Sequence, residues 1–229
     1  MTEPLKLESF VDLSRITNRE LFEVESVFQL FGQSLKDRLS KYLTDLGVDK
    51  QPIIHGNVHP HAVLEGAVYV AQGATVGPAA YIQGPCYIGP GAEVRHAAFI
   101  RGSVYVGAKA VVGHTTEVKG SIFFDEAKAG HFAYVGDSLL GFQVNLGAGT
   151  KLANLKLNAG EVKVRLPGIQ TLVSSGLKKF GSIMGDQSQT GCNAVLSPGT
   201  LLLAKTAVLP CVHFHGTLEK GFARGSSAK

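Results

Sequence analysis

The sequence predicts a mainly β fold, a solenoid of short stacked strands that follows an α-helical segment at the amino terminus. Two observations carry this prediction. Apolar residues recur every six positions over the middle of the chain, whereas over the first 50 residues they are spaced three and four apart. A helix shows a period of 3.6 residues and an isolated strand a period of two, so a period of six indicates stacked coils.

The six-residue repeat supplies two kinds of inward side chain. An aliphatic residue starts each repeat, and a small or β-branched residue stands four positions later in most of them, as at Ala74, Ala80 and Thr116. The first kind can fill a core and the second can fit a tight corner. The aliphatic positions are Val58, Leu64, Val70, Val76, Ile82, Ile88, Val94, Ile100, Val106, Val112 and Val118.

This pattern resembles the hexapeptide-repeat family, whose fold is a left-handed parallel β-helix with 18 residues per coil. The register slips between Val118 and Val135, and the repeat returns after residue 183. The predicted organisation is therefore a helical cap segment at 1–50, the main coils with a catalytic turn at 51–158, an inserted loop at 159–182, and terminal coils with a C-terminal tail at 183–229.

The first 50 residues predict an amphipathic helix. Thr17 and Glu20 fit a capping box, and the apolar residues run from Leu21 to Leu46 with a possible break at Gly32. We expect this segment to cap the first coil, or else to pack between subunits.

Composition limits the function classes. The net charge is +4 and the cations are scattered, which disfavours nucleic-acid binding. No apolar run is long enough to span a bilayer and no signal peptide is recognisable, so we expect a cytoplasmic protein. The cysteines Cys86, Cys192 and Cys211 have neither disulfide nor zinc spacing.

Two pairs of polar residues stand 18 positions apart and should lie on adjacent coils. Arg101 and Lys119 place two cations side by side, which indicates either a bound phosphate or a solvated surface. If these cations are unpaired, removing Lys119 should leave the unliganded protein no less stable. His96 and His114 form the second pair, but the five-residue histidine step of the γ-class carbonic anhydrases is missing, so we expect no metal.

The runs GHFAYVGD and VNLGAGT, followed by Asn154, resemble the acetyltransferase half of the bacterial bifunctional N-acetylglucosamine-1-phosphate uridyltransferases. That resemblance covers about residues 94–158 strongly and 184–216 weakly. It implies that acetyl-coenzyme A is the co-substrate and that a homotrimer carries the sites. It implies a catalytic base at His131, with Glu117 as its carboxylate partner, and an acetyl contact at Asn154. The implied substrate contacts are Arg101, Lys119, Tyr134 and Asn145. The implied coenzyme contacts are Ala148, Cys192 and Pro210.

The chain departs from that family in three respects. Gly160 stands where the family has a loop lysine, and Lys163, Arg165, Lys178 or Lys179 could replace it. Cys192 stands where the family has a serine. The Gly-rich signature for a nucleoside triphosphate is absent, so uridylyl transfer is not expected.

The sequence therefore predicts an N-acetyltransferase acting on a hexosamine 1-phosphate, glucosamine 1-phosphate first. His131 would deprotonate the sugar amine for direct attack on the thioester, and Asn154 or a backbone N–H near Gly147–Gly149 would meet the oxyanion. Two alternatives stay open: an acyltransferase for another amino sugar or a UDP-amino sugar, and a non-catalytic regulatory or scaffolding β-helix.

Overall fold

The computed structural model describes residues 4–168 and 171–225. Short parallel strands wind into a prism with three long sheets, two of nine strands and one of eight, and each strand pairs with its counterpart in the next coil. The predicted fold, a left-handed parallel β-helix with an N-terminal helical segment, is confirmed.

Three sheets form the sides of the prism. Sheet A contains β1 Ile53–Ile54, β4 Val68–Val70, β7 Cys86–Ile88, β10 Val104–Val106, β13 Ile122–Phe123, β16 Leu139–Leu140, β21 Ser182–Met184, β24 Thr200–Leu202 and β27 Thr217–Leu218. Sheet B contains β2 Asn57–Val58, β5 Thr75–Val76, β8 Glu93–Val94, β11 Val111–His114, β14 Lys128–His131, β17 Asn145–Leu146, β22 Gln189–Thr190, β25 Ala207–Val208 and β28 Phe222–Ala223. Sheet C contains β3 Val63–Glu65, β6 Tyr81–Gln83, β9 Phe99–Arg101, β12 Glu117–Lys119, β15 Tyr134–Gly136, β18 Lys151–Leu152, β23 Val195–Leu196 and β26 His213–Phe214.

The six-residue repeat fills the interior of the prism. Repeat positions such as Val70, Ile82 and Val106 are fully buried, as are the small residues four positions later. Val58 and Leu64 belong to the first coil and are only partly buried, because one side of that coil has no neighbour. The two inward positions of the repeats after the first coil are therefore confirmed as core.

The register slip is a change in coil length. Tyr87 pairs with Tyr105, which is 18 residues on, whereas Val118 pairs with Val135, which is 17 residues on. His114 pairs with His131 in the same shortened coil. One residue fewer per coil keeps the strands aligned but shifts the sequence period, so the break in the pattern marks the coil that carries His131.

The N-terminal segment contains several short helices. Three 3₁₀ turns and two α-helices follow one another: Leu7–Ser9, Leu13–Arg15, α1 Arg19–Phe22, Val27–Leu30 and α2 Gly32–Asp45. The predicted capping box at Thr17 and Glu20 is wrong, since the capping box forms between Ser26 and Gln29. Gly32 begins α2 with a φ of 62°, a conformation that glycine adopts without strain.

The N-terminal segment covers the outer face of sheet A, which differs from the expected cap on the first coil. Phe22 contacts Tyr105 and Phe124 with ring centroids 5.1 and 4.9 Å apart, and Tyr42 contacts Tyr87. The physical reason lies in sheet A, whose outward side chains are apolar or aromatic and need cover. These outward residues include Tyr87, Tyr105, Ile122, Leu139, Ile183 and Leu201.

The predicted inserted loop has structure of its own. β19 (Lys163–Arg165) and β20 (Leu172–Ser174) form an antiparallel hairpin. Val162, Val164 and Leu166 are buried in the same hydrophobic cluster as the N-terminal segment. Part of the insertion is therefore packed into the body of the protein. Residues 169–170 of the insertion, and residues 226–229 of the predicted tail, lie outside the described residues.

Candidate active site

His131 ends strand β14 at the corner between sheets B and C. Backbone N–H groups on this corner donate to the carbonyl of the coil before: Phe132 to His114 at 2.9 Å and Gly149 to His131 at 3.1 Å. The corner residues themselves have positive φ, such as Phe132 at 33°. The residues that precede them form one column along the corner: Pro78, His96, His114, His131, Ala148, Cys192 and Pro210.

The corner column brings predicted catalytic and coenzyme-binding residues together. Ala148, Cys192 and Pro210 follow His131 along the column, one coil after another. Their predicted roles came from the resemblance alone, and the fold gives them one continuous edge. Ala148, Cys192 and Pro210 all have short side chains, so this edge projects little beside His131.

A groove of about 560 Å³ lies on sheet B beside this column. Its lining includes His131, Asn145, Ala148 and Cys192, all of which the sequence assigned to the site. His131, Asn145 and Cys192 are exposed, so a ligand can reach them. Pro210 stands beyond Cys192, where its ring lies close over Gly191.

His131 has a different partner from the expected one. Its Nδ1 lies 3.1 Å from Nε2 of His114, and the two ring centroids are 5.2 Å apart. Glu117 instead accepts a hydrogen bond from Nη1 of Arg101 at 2.7 Å. The predicted pairing of Glu117 with His131 is therefore wrong in this chain, because the guanidinium of Arg101, on the neighbouring strand β9, takes the carboxylate.

The two stacked cations are both paired with carboxylates. Arg101 bonds Glu117, which raises the pKa of Arg101, and Lys119 Nζ lies 3.2 Å from Oδ1 of Asp137. The interpretation of Arg101 and Lys119 as an unpaired like-charge contact is wrong. The net charge of these four side chains is zero, so phosphate is not needed to relieve repulsion.

Asp137 is a site residue that sequence reasoning missed. Its side chain is only 4% exposed, and it accepts hydrogen bonds from Lys119 and from the amide nitrogen of Asn154. It stands 18 residues after Lys119, so the same offset that paired the cations could have found it. The run GHFAYVGD already contains it.

Tyr134 completes this polar cluster on sheet C. Its hydroxyl donates to Oδ1 of Asn154 at 3.2 Å. Partial burial, together with the nearby charges of Glu117 and Asp137, raises the pKa of Tyr134. Tyr134 therefore stays a neutral hydrogen-bond donor at physiological pH.

A backbone N–H beside His131 is available for a ligand. Gly147 donates to Thr190 O at 2.8 Å and Gly149 to His131 O, whereas Ala148 N–H has no acceptor among residues 4–168 and 171–225. Asn154 is partly engaged, since its amide already bonds Asp137. Of the two predicted oxyanion donors, Ala148 lines the groove of His131, whereas Asn154 follows strand β18 and bonds Tyr134 and Asp137.

The candidate replacements for the family's loop lysine lie on or near the hairpin. Lys163 lies in β19 and lines a second groove of about 630 Å³ with Leu155, Leu157 and Leu172. Lys179 bridges to Leu155 at the base of the insertion. None of them lines the groove of His131.

The described residues contain no group of three or more His, Cys, Asp or Glu side chains arranged to hold a metal ion. Across the same part of the chain, no helix has both the length and the hydropathy that crossing a bilayer requires.

Known proteins resemble parts of this chain. The model of the GMPPB C-terminal domain matches residues 82–169. A bifunctional sugar-1-phosphate nucleotidylyltransferase/acetyltransferase of Sulfurisphaera tokodaii is 40% identical over 84 residues, and the bifunctional protein GlmU of Methanococcus vannielii is 40% identical over 72 residues. These matches confirm the resemblance.

The matches are partial on both sides. They cover 37% and 31% of this chain, and 20% and 17% of the two relatives. The chain thus spans about a fifth of the length of these bifunctional proteins. Among solved structures, the acetyltransferase domain of PglB from Neisseria gonorrhoeae in complex with acetyl coenzyme A overlaps 80% of this chain and 63% of its own, with 13% identity and a TM-score of 0.28.

Proposed function

We propose that this chain is an acetyl-coenzyme A-dependent N-acetyltransferase that acts on a hexosamine 1-phosphate, glucosamine 1-phosphate in the first instance. The observation that carries the proposal is the shared groove of His131, Asn145, Ala148 and Cys192. A base, an amide side chain and a free backbone N–H in one groove are what amine acetylation requires.

His131 acts as the general base. The amine of an amino sugar is protonated near neutral pH and has no lone pair, so Nε2 of His131 must remove a proton before the nitrogen attacks the thioester. Nε2 is the ring nitrogen that His114 leaves free. The amine attacks the thioester carbon directly, and the C–S bond breaks as the C–N bond forms. The coenzyme leaves as its thiol, which gains the proton that the product nitrogen loses, and no covalent enzyme intermediate is made.

Ala148 N–H stabilises the oxyanion that develops on the acetyl group. A fixed backbone donor costs no reorganisation during the reaction, and removing such donors in other enzymes costs about 10²–10³-fold in kcat. Asn154 orders the sheet C cluster and serves as the second donor. The coenzyme extends along the corner past Ala148, Cys192 and Pro210, where the fold places them in sequence.

The acceptor's phosphate binds Arg101 and Lys119, with Tyr134 and Asn145 on the sugar hydroxyls. The phosphate must replace Glu117 on Arg101, and this exchange costs little because both side chains are more than a third exposed. Lys119 keeps Asp137 and offers its remaining N–H groups.

A nucleotide-linked amino sugar is the second candidate acceptor. Lys109 and Lys128 line the groove of His131, and within the described part of the chain neither has a carboxylate partner. Two cations at that place suit a diphosphate.

A homotrimer in the cytoplasm fits these features. The N-terminal segment covers sheet A, whereas Phe99 on sheet C and Phe132 at the corner between sheets B and C are exposed. The three cysteines are unpaired, as is usual in a reducing compartment. Light scattering at micromolar concentration should give a trimer, and a monomer there would contradict this arrangement.

The experiment that tests the function is thiol release from acetyl-coenzyme A with a panel of amino-sugar 1-phosphates and UDP-amino sugars. We expect glucosamine 1-phosphate to react, and His131→Ala to lower kcat about 10²–10⁴-fold. His61→Ala, an exposed histidine of the first coil, is the matched control. The absence of thiol release with every acceptor in the panel would refute the function. Near-normal turnover of His131→Ala would show that another residue is the base.

A further inference from the structure

His114 contacts His131, the proposed general base. Its Nε2 lies 3.1 Å from Nδ1 of His131, and its own Nδ1 lies 3.3 Å from the hydroxyl of Thr115. These contacts place both nitrogens of His114 in hydrogen bonds, whereas His131 has one ring nitrogen left over.

The protons of this pair follow from what His131 must do. A base that accepts at Nε2 must carry its own proton on Nδ1, since a neutral imidazole holds only one. Nδ1–H then donates to Nε2 of His114, which must be an acceptor. The proton of His114 consequently sits on its Nδ1 and points to the Thr115 hydroxyl.

Neighbouring rings hold His114 in this orientation. His96 stacks on its face, with centroids 5.1 Å apart and planes 7° from parallel, and Phe132 contacts it at 5.8 Å. His114 is half-buried while His131 is exposed, so the supporting ring is the better fixed of the two.

We propose that His114 is the positioning residue of the site: it orients His131, fixes its Nδ1–H tautomer, and stabilises the imidazolium that forms when His131 takes the proton. This inference rests on the proposed function, and it gives His114 the role that the resemblance assigned to Glu117. A neutral acceptor on Nδ1 is a common way to hold a catalytic histidine in one tautomer.

The kinetic test compares three variants with wild type. His114→Ala should lower kcat about 10–100-fold, the range by which metal enzymes lose activity when a metal-bound histidine loses its hydrogen-bond partner, with KM for the acceptor within about twofold. His114→Gln should recover most of the loss, because its amide carbonyl accepts a hydrogen bond. His61→Ala should match wild type.

A second readout does not depend on activity. Ring ¹⁵N NMR of histidine-labelled protein should show His131 as the Nδ1–H tautomer in wild type and in His114→Gln. In His114→Ala, the signal should move toward the Nε2–H tautomer. If wild type shows no acetyl transfer with any acceptor, the proposed function fails. The spectrum still shows whether Nδ1–H of His131 donates a hydrogen bond to His114.

Three results would overturn the proposal. The first is an unchanged His131 tautomer in His114→Ala, and the second is an unchanged kcat of that variant in an active enzyme. A loss that His114→Gln does not relieve would show that His114 only supports the fold, and would equally overturn it.

Discussion

Replacing Lys119 with methionine should destabilise the protein through Asp137. The Lys119 and Asp137 side chains are 28% and 4% exposed, so the carboxylate is nearly inaccessible to water. Without Lys119, the Asp137 charge keeps the Asn154 amide as its side-chain partner. A buried charge deprived of its counterion is among the costliest results of a single substitution.

The magnitude follows from this burial. Breaking a buried ion pair from one side costs about 3–5 kcal/mol, and the partial exposure of Lys119 places the cost near the lower end, about 3 kcal/mol. For a chain of this size, that corresponds to a fall in Tm of about 6–12 °C. This reverses the expectation that removing Lys119 leaves stability unchanged.

The structure supplies a matched control. Arg101 and Glu117 form the neighbouring pair, but their side chains are 44% and 34% exposed. Arg101→Met should therefore cost about 1 kcal/mol or less. The double variant Lys119→Met with Asp137→Asn should recover part of the loss, because the buried charge is gone.

Urea denaturation followed by circular dichroism, at one protein concentration, measures these differences. Equal midpoints for Lys119→Met and Arg101→Met would refute the reasoning from burial. So would a double variant that is no more stable than Lys119→Met.

Two further predictions concern the backbone under His131 and the phosphate site. A Cβ on Gly113 would lie 1.8 Å from the carbonyl oxygen of Gly130, whereas a Cβ on Gly130 meets open space. Gly113→Ala should therefore lower both Tm and turnover, and Gly130→Ala should leave both unchanged. Similar Tm values for the two variants would contradict the close approach of the two coils. Arg101→Met should raise KM for glucosamine 1-phosphate about 10–100-fold, as losing a hydrogen bond to a charged group does, with kcat little changed. Steady-state kinetics with glucosamine, which lacks the phosphate, should show no such rise, and an unchanged KM for the phosphorylated sugar would remove Arg101 from the site.

The hexapeptide pattern predicted the coils because each buried position depends only on residues near it in sequence. Val70, Ile82 and Val106 are core for the reason that the repeat gives. The cover on sheet A could not be found in this way. It depends on Phe22 meeting Tyr105, which is far along the chain, and no local period encodes that contact.

The ion pairs show the same limit at the site. The 18-residue offset found Arg101 and Lys119 but not Glu117, which pairs with Arg101 at an offset of 16; Asp137 stands 18 residues after Lys119, so the offset reaches it once carboxylates are searched as well. His114 was noticed for its stacking on His96. Its contact with His131 depends on a coil of 17 residues, so the 18-residue rule passed over it.

The division of the site between two sheets bears on how one substrate can reach all of it. His131 lies at the corner, Asn145 lies on sheet B, and Arg101 lies on sheet C two coils before the coil of His131. Adjacent coils are separated by about 4.8 Å, and the exposed ring of Phe132 stands on the corner between the two faces. A small sugar phosphate in the groove of sheet B would have to pass around this corner to reach Arg101 of its own chain. A second copy that places its sheet C against this groove brings the cations to the base without that path, which is why we expect complete sites only between subunits.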